Sequence, residues 1–151
     1  MTQQSCVVCV AMMFAITVQV MGQEAPFRIN ELISVNVSRL RDIEKYHSDW
    51  IEIQNISGET QNLVGWHLSD DPDDPTKWTS PSKRLDPNSS LVIFASVKIN
   101  NSIFQIEINT NFTLGRFGGY LSLADPEGNV VQEYIYPNQW PDFSYGLNEA
   151  N

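Results

Sequence analysis

Turn chemistry constrains this chain more than any other feature of its sequence. From Ile29 onward the apolar residues stand in short alternating or unbroken runs, each stopped by Gly, Pro, Asn or Asp, and few stretches recur at helical spacing. A period of two bounded by turn residues is the pattern of strands, so the chain is expected to be all-β. Residues 29–36 read as a first strand. Residues 49–56 read as a second, with Ile51 and Ile53 on one face and Trp50, Glu52 and Gln54 on the other. After the turn Ser57-Gly58-Glu59-Thr60, residues 61–69 are expected to return as a strand, Gly65 marking a bulge or a close backbone approach. Ile51, Ile53, Trp66 and Leu68 are then expected to build a strand pair that the remaining strands cover.

Residues 70–76 contain Asp-Pro steps that a strand cannot pass through. Residues 77–80 form a short extended piece carrying Trp78. The apolar run 91–95 reads as a strand buried on both faces. Phe104, Ile106 and Ile108 alternate with polar residues and predict another half-buried strand. Residues 115–119 are a glycine-rich turn. Residues 120–123 and 130–136 are strands around Asp125-Pro126-Glu127-Gly128, which sets Pro and Gly where a hairpin turn uses them. Pro137 ends the second of these, and 143–146 is a last short piece. Seven or eight short strands with turns between them predict two antiparallel sheets packed face to face.

The first 22 residues differ in character. They hold no charged side chain, both cysteines (Cys6 and Cys9), all four methionines and a nearly continuous apolar run from 6 to 21. With Val20-Met21-Gly22 ahead of Gln23, this is the pattern of a cleaved secretory signal peptide, and the run is short for a bilayer span. The expected division is a signal peptide over 1–22, one domain over 23–147 and a short tail over 148–151; an uncleaved anchor is the alternative for the first segment. The mature chain then has no cysteine, hence no disulfide and no thiolate metal site, and is expected to be secreted or held at the cell surface. The net charge of −9 removes the basic footprint that nucleic acid or an anionic membrane surface calls for.

Asp70, Asp71, Asp73 and Asp74 place four carboxylates within one short loop. Hard oxygen donors at this density suit Ca²⁺, whose charge relieves their mutual repulsion. Against this, the loop lacks the spacing and distal Glu of an EF-hand, and Asp beside Pro is also the chemistry of a solvated turn. Calcium is therefore the one cofactor the sequence raises, set against no cofactor. Trp78 and Trp140, in or after proline-rich loops, are candidates for a ligand- or partner-binding surface, whereas Trp66 reads as core. His47 and His67 sit in no nucleophile–base or metal pattern, there is no Gly-x-Ser-x-Gly, and Glu31, Asp49 and Glu52 occupy strand-motif positions. No catalytic residue is expected. Asn36, Asn55, Asn88, Asn100 and Asn111 each open an Asn-x-Ser/Thr sequon.

The order of motifs Ile29-Asn-Glu-Leu, Asp49-Trp-Ile-Glu-Ile-Gln-Asn, Leu63-Val-Gly-Trp-His-Leu-Ser-Asp-Asp, Leu91-Val-Ile-Phe-Ala, Asn111-Phe-Thr-Leu and Gly119-Tyr-Leu-Ser-Leu-Ala-Asp-Pro-Glu-Gly resembles the lamin tail domain. Asp-Asp-Pro-x-x-Pro-x-Lys-Trp and the late Ser-Tyr-Gly resemble its bacterial secreted branch. The resemblance covers roughly residues 28–147. It implies an immunoglobulin-like β-sandwich and does not by itself imply an activity; the chain is expected not to be an enzyme. The heptad rod, C-terminal prenylation Cys and basic face of nuclear lamins are not in this sequence, so their roles are not implied. The expected function is an exported, non-catalytic module that contacts a protein or a cell-surface or matrix component of unknown identity. One alternative is the N-terminal accessory domain of a larger exported enzyme, hydrolase or spore-coat kinase-like, with its catalytic part beyond residue 151. Another is a calcium-dependent carbohydrate- or matrix-binding module.

Overall fold

A computed structural model describes residues 24–98 and 107–146. Its strands are β1 (Phe27–Ile33), β2 (Asp49–Asn55), β3 (Gln61–Asn62), β4 (His67–Ser69), β5 (Trp78–Thr79), β6 (Arg84–Leu85), β7 (Ser90–Ala95), β8 (Gly119–Ala124), β9 (Val130–Tyr136) and β10 (Tyr145–Gly146). All of the strand pairings within sheets are antiparallel. One four-stranded sheet runs β10-β1-β2-β7, a second runs β5-β4-β8-β9, and β3 pairs with β6 in a two-stranded ribbon. The protein is an all-β, immunoglobulin-like sandwich.

Alternation places the core. Ile51 and Ile53 of β2 point inward with Ile29, Leu32 and Ile93, and meet Leu68, Leu121, Leu123 and Tyr136 of the second sheet. On the opposite face of β2, Trp50 is also buried, against Ile33 and Phe94. The polar segment between β1 and β2 supplies the cover: Leu40 and Arg39 lie beside Trp50 and Ile33.

The expected pairing of residues 49–56 with 61–69 does not form. Leu63 and Gly65 turn the chain: Trp66 N–H donates to Leu63 O (3.1 Å), and Gly65 takes φ +79°, a left-handed value that a side chain disfavours. The segment is thereby cut in two. β3 stays with β6, while β4 crosses into the second sheet beside β8. Ile51 and Ile53 therefore face Leu68 and Trp66 across the core rather than beside them in one sheet. Period-two alternation is the same on either side of such a crossover, which is why the sequence does not show it. The first strand begins and ends earlier than expected, and β7 is buried only from Ile93 onward. Phe104 and Ile106 lie outside the described residues; Ile108 and Thr110 flank a parallel bridge from Asn109 to Phe94.

A bulge at Asn30, between Ile29 and Glu31, shifts the β1–β2 register. It brings the Asn30 carbonyl so close to β10 that a Cβ on Gly146 would collide with it. Gly is thus required in the late Ser-Tyr-Gly for the last strand to reach the first.

Candidate interaction surfaces

The acidic loop is built from local turns. Asp70 pairs with Lys77 (Oδ1 to Nζ, 2.7 Å). That hydrogen bond is the main reason the Lys77 ammonium titrates above its usual range; burial opposes it slightly, and the fields of Asp71 and Asp74 add to it. Asp71 Oδ1 accepts the Asp73 N–H (3.0 Å), and Asp74 Oδ1 accepts the Thr76 N–H (3.3 Å) and hydroxyl (3.2 Å). Ser69 Oγ donates to Asp71 O and accepts its N–H. Each of these is an Asx- or Ser-type turn contact. Among the described residues no three His, Cys, Asp or Glu side chains stand close enough together to hold a metal ion.

The tryptophans divide. Trp66 is 8% exposed and meets Phe27 edge-on, ring centroids 5.2 Å apart. Trp78, opposite Leu68 in β5, is half-buried against the core. Trp140 is 73% exposed. It belongs to a group: Ile135 (83%), Phe117 (80%) and Phe143 (70%) are also exposed. Their segments are tied together. Gln139 N–H donates to Arg116 O (2.9 Å), and Phe143 N–H donates to Trp140 O (3.2 Å). Asp142, at φ +62°, fastens the same turn to the β1–β2 segment: its Oδ1 accepts the Val37 and Ser38 N–H groups (2.7 and 2.9 Å), and its Oδ2 accepts the Ser38 hydroxyl (2.6 Å). These bonds draw its carboxyl down to about 2. Phe117, Trp140 and Phe143 thus stand exposed on segments braced to one another just beyond the end of β9, the strand that carries Ile135.

A second constellation escapes the sequence. Asp42, its side chain fully buried, accepts N–H groups of Glu44 and Tyr46 (3.0 Å each) on Oδ1, and Ser48 Oγ (2.6 Å) and Lys98 Nζ (2.5 Å) on Oδ2. Burial alone would raise its carboxyl; the Lys98, Ser48 and Tyr46 bonds outweigh that and leave it lowered. Lys98 also reaches Glu44 (2.9 Å) and lies over the Tyr46 ring (4.6 Å). Buried Asn36 completes the brace, its Nδ2 donating to Leu40 O and Ser48 O (2.8 and 2.7 Å). In the sequence these residues form only a polar, irregular stretch, because their partners are brought together by the loop's path and by Lys98 from far along the chain.

Next to this brace opens a shallow cleft lined by Tyr46, His47, Ser48, Asp49, Ser96, Lys98 and Thr113. Burial pushes the Asp49 carboxyl up to about 6, opposed only by the Asn36 N–H (3.2 Å). Lys98 is committed to Asp42 and Glu44, and Ser48 to Asp42. The effect of Asp49 is on stability. A folded value above the ordinary 3.8 favours the folded state below pH 3.8, and that advantage is lost as pH rises through about 6. Asp49→Asn, which keeps an acceptor for Asn36, is expected to be more stable than the parent by about 1–2 kcal/mol at pH 7.5 after allowance for solvent screening. The gain should shrink steadily from pH 6 to pH 4 in urea titrations. A gain independent of pH would show that Asp49 is not the titrating group.

The sequence model of the Lamin Tail Domain matches residues 25–138. The chain belongs to this family. No curated protein matches it. The match ends within the loop after β9; β10 lies beyond the matched residues and pairs with β1, Glu31 and Leu32 standing opposite Gly146 and Tyr145. The family is one of immunoglobulin-like, non-catalytic domains. Among the described residues no helix is long and apolar enough to cross a membrane.

Proposed function

We propose that this lamin tail domain is an exported, non-catalytic interaction module that docks a protein or cell-surface component through the rim of Ile135, Phe117, Trp140 and Phe143. The exposure of these four large apolar side chains on mutually bonded segments carries the reading. Clustered apolar exposure marks interaction sites, and a braced backbone loses little freedom when a partner binds. The apolar, uncharged segment over residues 1–22 supports export. The net charge supports a partner other than nucleic acid.

The test is site-specific photo-crosslinking in the producing cells. A benzophenone side chain at position 140 is expected to give a discrete adduct with one partner. The same group at Lys83, exposed on the turn before β6, is expected to give none. Phe117→Ser should lose the adduct while changing stability by no more than about 0.5 kcal/mol, as exposed positions do. Equal adducts from both positions, or none from either, would sink the proposal.

A further inference from the structure

The protein closes its strand edges in different ways. β10 and β5, each the last strand of a sheet, are two residues long. Beyond β10, the exposed backbone of β1 is taken by a side chain: Gln132 Oε1 accepts the Ile29 N–H (2.6 Å), and Gln132 Nε2 donates to Ile29 O (3.2 Å). On β7, Phe94 N–H donates to Ile108 O and Phe94 O accepts the Thr110 N–H, both at 2.9 Å. A short edge, a covered edge and a paired edge are all known protections against unwanted strand pairing.

Among the described residues β9 is neither short, covered nor paired along its outer edge, although its pairing with β8 slips by one residue at Val131. It is seven residues long and forms the other end of the second sheet, with β8 as its one strand partner among the described residues. Its sequence, Val-Val-Gln-Glu-Tyr-Ile-Tyr, contains no Pro and no Lys. Among the described residues no backbone or side-chain group hydrogen-bonds to the side of its backbone away from β8. From Gln132 onward its side chains alternate: Gln132, Tyr134 and Tyr136 turn inward, and Glu133 and Ile135 stand exposed on the outer face; Val131, at the register shift, is exposed as well. The whole hairpin from Gly119 to Tyr136 carries Asp125, Glu127 and Glu133 and no basic side chain.

We infer that the open edge of β9 is a strand-addition site for an extended basic peptide segment, one that sets Lys or Arg opposite Glu133 and apolar residues two positions away on either side, opposite Val131 and Ile135. This rests on the interaction-module reading and deepens it, because Ile135 is shared with the apolar rim. Backbone hydrogen bonds along the edge supply affinity, and the alternating side chains on one face supply selectivity. Charge decides the occupant. A second copy of the chain pairing antiparallel over the full strand would set Val131 against Ile135 and Glu133 against Glu133. That juxtaposes like charges at the centre and adds the repulsion of two chains at −9 each. A basic segment meets the same edge with attraction instead.

The probe is the peptide acetyl-Ser-Val-Thr-Lys-Thr-Val-Ser-amide, added to the purified protein at up to millimolar concentration. Binding is read by NMR titration and by amide hydrogen exchange. The expected result is saturable binding, with at least tenfold slower exchange confined to the edge amides of residues 130–136. N-methylating the alternate peptide amides that face the edge should weaken binding at least tenfold. Glu133→Lys should do the same, and a peptide with Glu in place of Lys should restore binding to that variant. No binding, equal binding of the N-methylated peptide, protection elsewhere, or concentration-dependent protection without peptide would each overturn the inference. If the adduct at position 140 survives while the peptide fails, strand addition alone falls; if both fail, the interaction reading falls with it.

Discussion

Asn55→Ala is expected to lower the unfolding free energy by about 4 kcal/mol. Asn55 ends β2 and is fully buried. Its amide nitrogen donates to the carbonyls of Glu59, Leu85 and Asp86 at 2.8, 2.9 and 3.1 Å. Its amide oxygen accepts the Ser57 N–H (3.0 Å) and hydroxyl (2.8 Å). One side chain thus joins the turn after β2 to the end of β6. Alanine would leave these carbonyls facing a space without a donor. A buried polar group deprived of its partner costs about 1–3 kcal/mol, and neighbouring losses do not simply add, which sets the total near 4. The urea midpoint, at unchanged slope, reads the effect. A loss below about 1.5 kcal/mol would mean that water replaces the amide. The same burial leaves the Asn55 sequon out of reach of any modifying enzyme in the folded domain, and Asn36 likewise.

Trp66→Ala is the second large effect, expected at about 3–4 kcal/mol. The indole fills the space where the chain crosses between sheets, edge-on to Phe27. It also forms part of the wall of an open cleft of about 780 Å³ shared with Arg28, Ile56, Pro126 and Gln132. Removing a buried Trp costs about 3–5 kcal/mol. Because this one borders an open cleft, water can occupy the vacated volume, which places the cost toward the lower end. Thermal unfolding with near-ultraviolet circular dichroism gives both the stability and the loss of the ring's fixed environment. Trp66→Phe should recover more than half. A Trp66→Ala loss no larger than that of exposed Trp140→Ala would contradict the placement.

Much of this architecture is legible in the chain itself. Alternation locates Ile51, Ile53, Leu121 and Leu123 in the core, and the Asp-Pro-Glu-Gly turn locates the β8–β9 hairpin, with Asp125 Oδ1 accepting the Glu127 N–H (3.0 Å) and Asn129 N–H (2.8 Å). Both are local signals. What escapes is decided at long range. The switch of sheets at Gly65 depends on which strand is available as partner. The standing of Trp78 and Trp140 depends on what covers them, and proline-rich surroundings are the same for both. The turn roles of the acidic loop are equally hidden: Asp71 and Asp74 accept local N–H groups and Asp70 takes Lys77, contacts that the spacing of the four carboxylates does not spell out. Asp42 and Lys98, the most heavily bonded ion pair among the described residues, belong to segments with no pattern at all.

The pairing of β1 with β10 has a consequence for how the molecule assembles. Its two partners stand at opposite ends of the described chain, so the first sheet cannot be completed from any local hairpin. Joining such distant segments carries a large loop-closure entropy that is met before any contact rewards it. The β8–β9 hairpin, by contrast, closes over a short turn and is available early. Folding is then set by the arrival of the last strand, in the range of milliseconds to seconds typical of sandwiches with non-local pairing. A chain whose synthesis has reached only Pro137 leaves β1 without its final neighbour. The small Ser-Tyr-Gly strand, two residues of pairing made possible by a missing Cβ, is the latch that ends this interval.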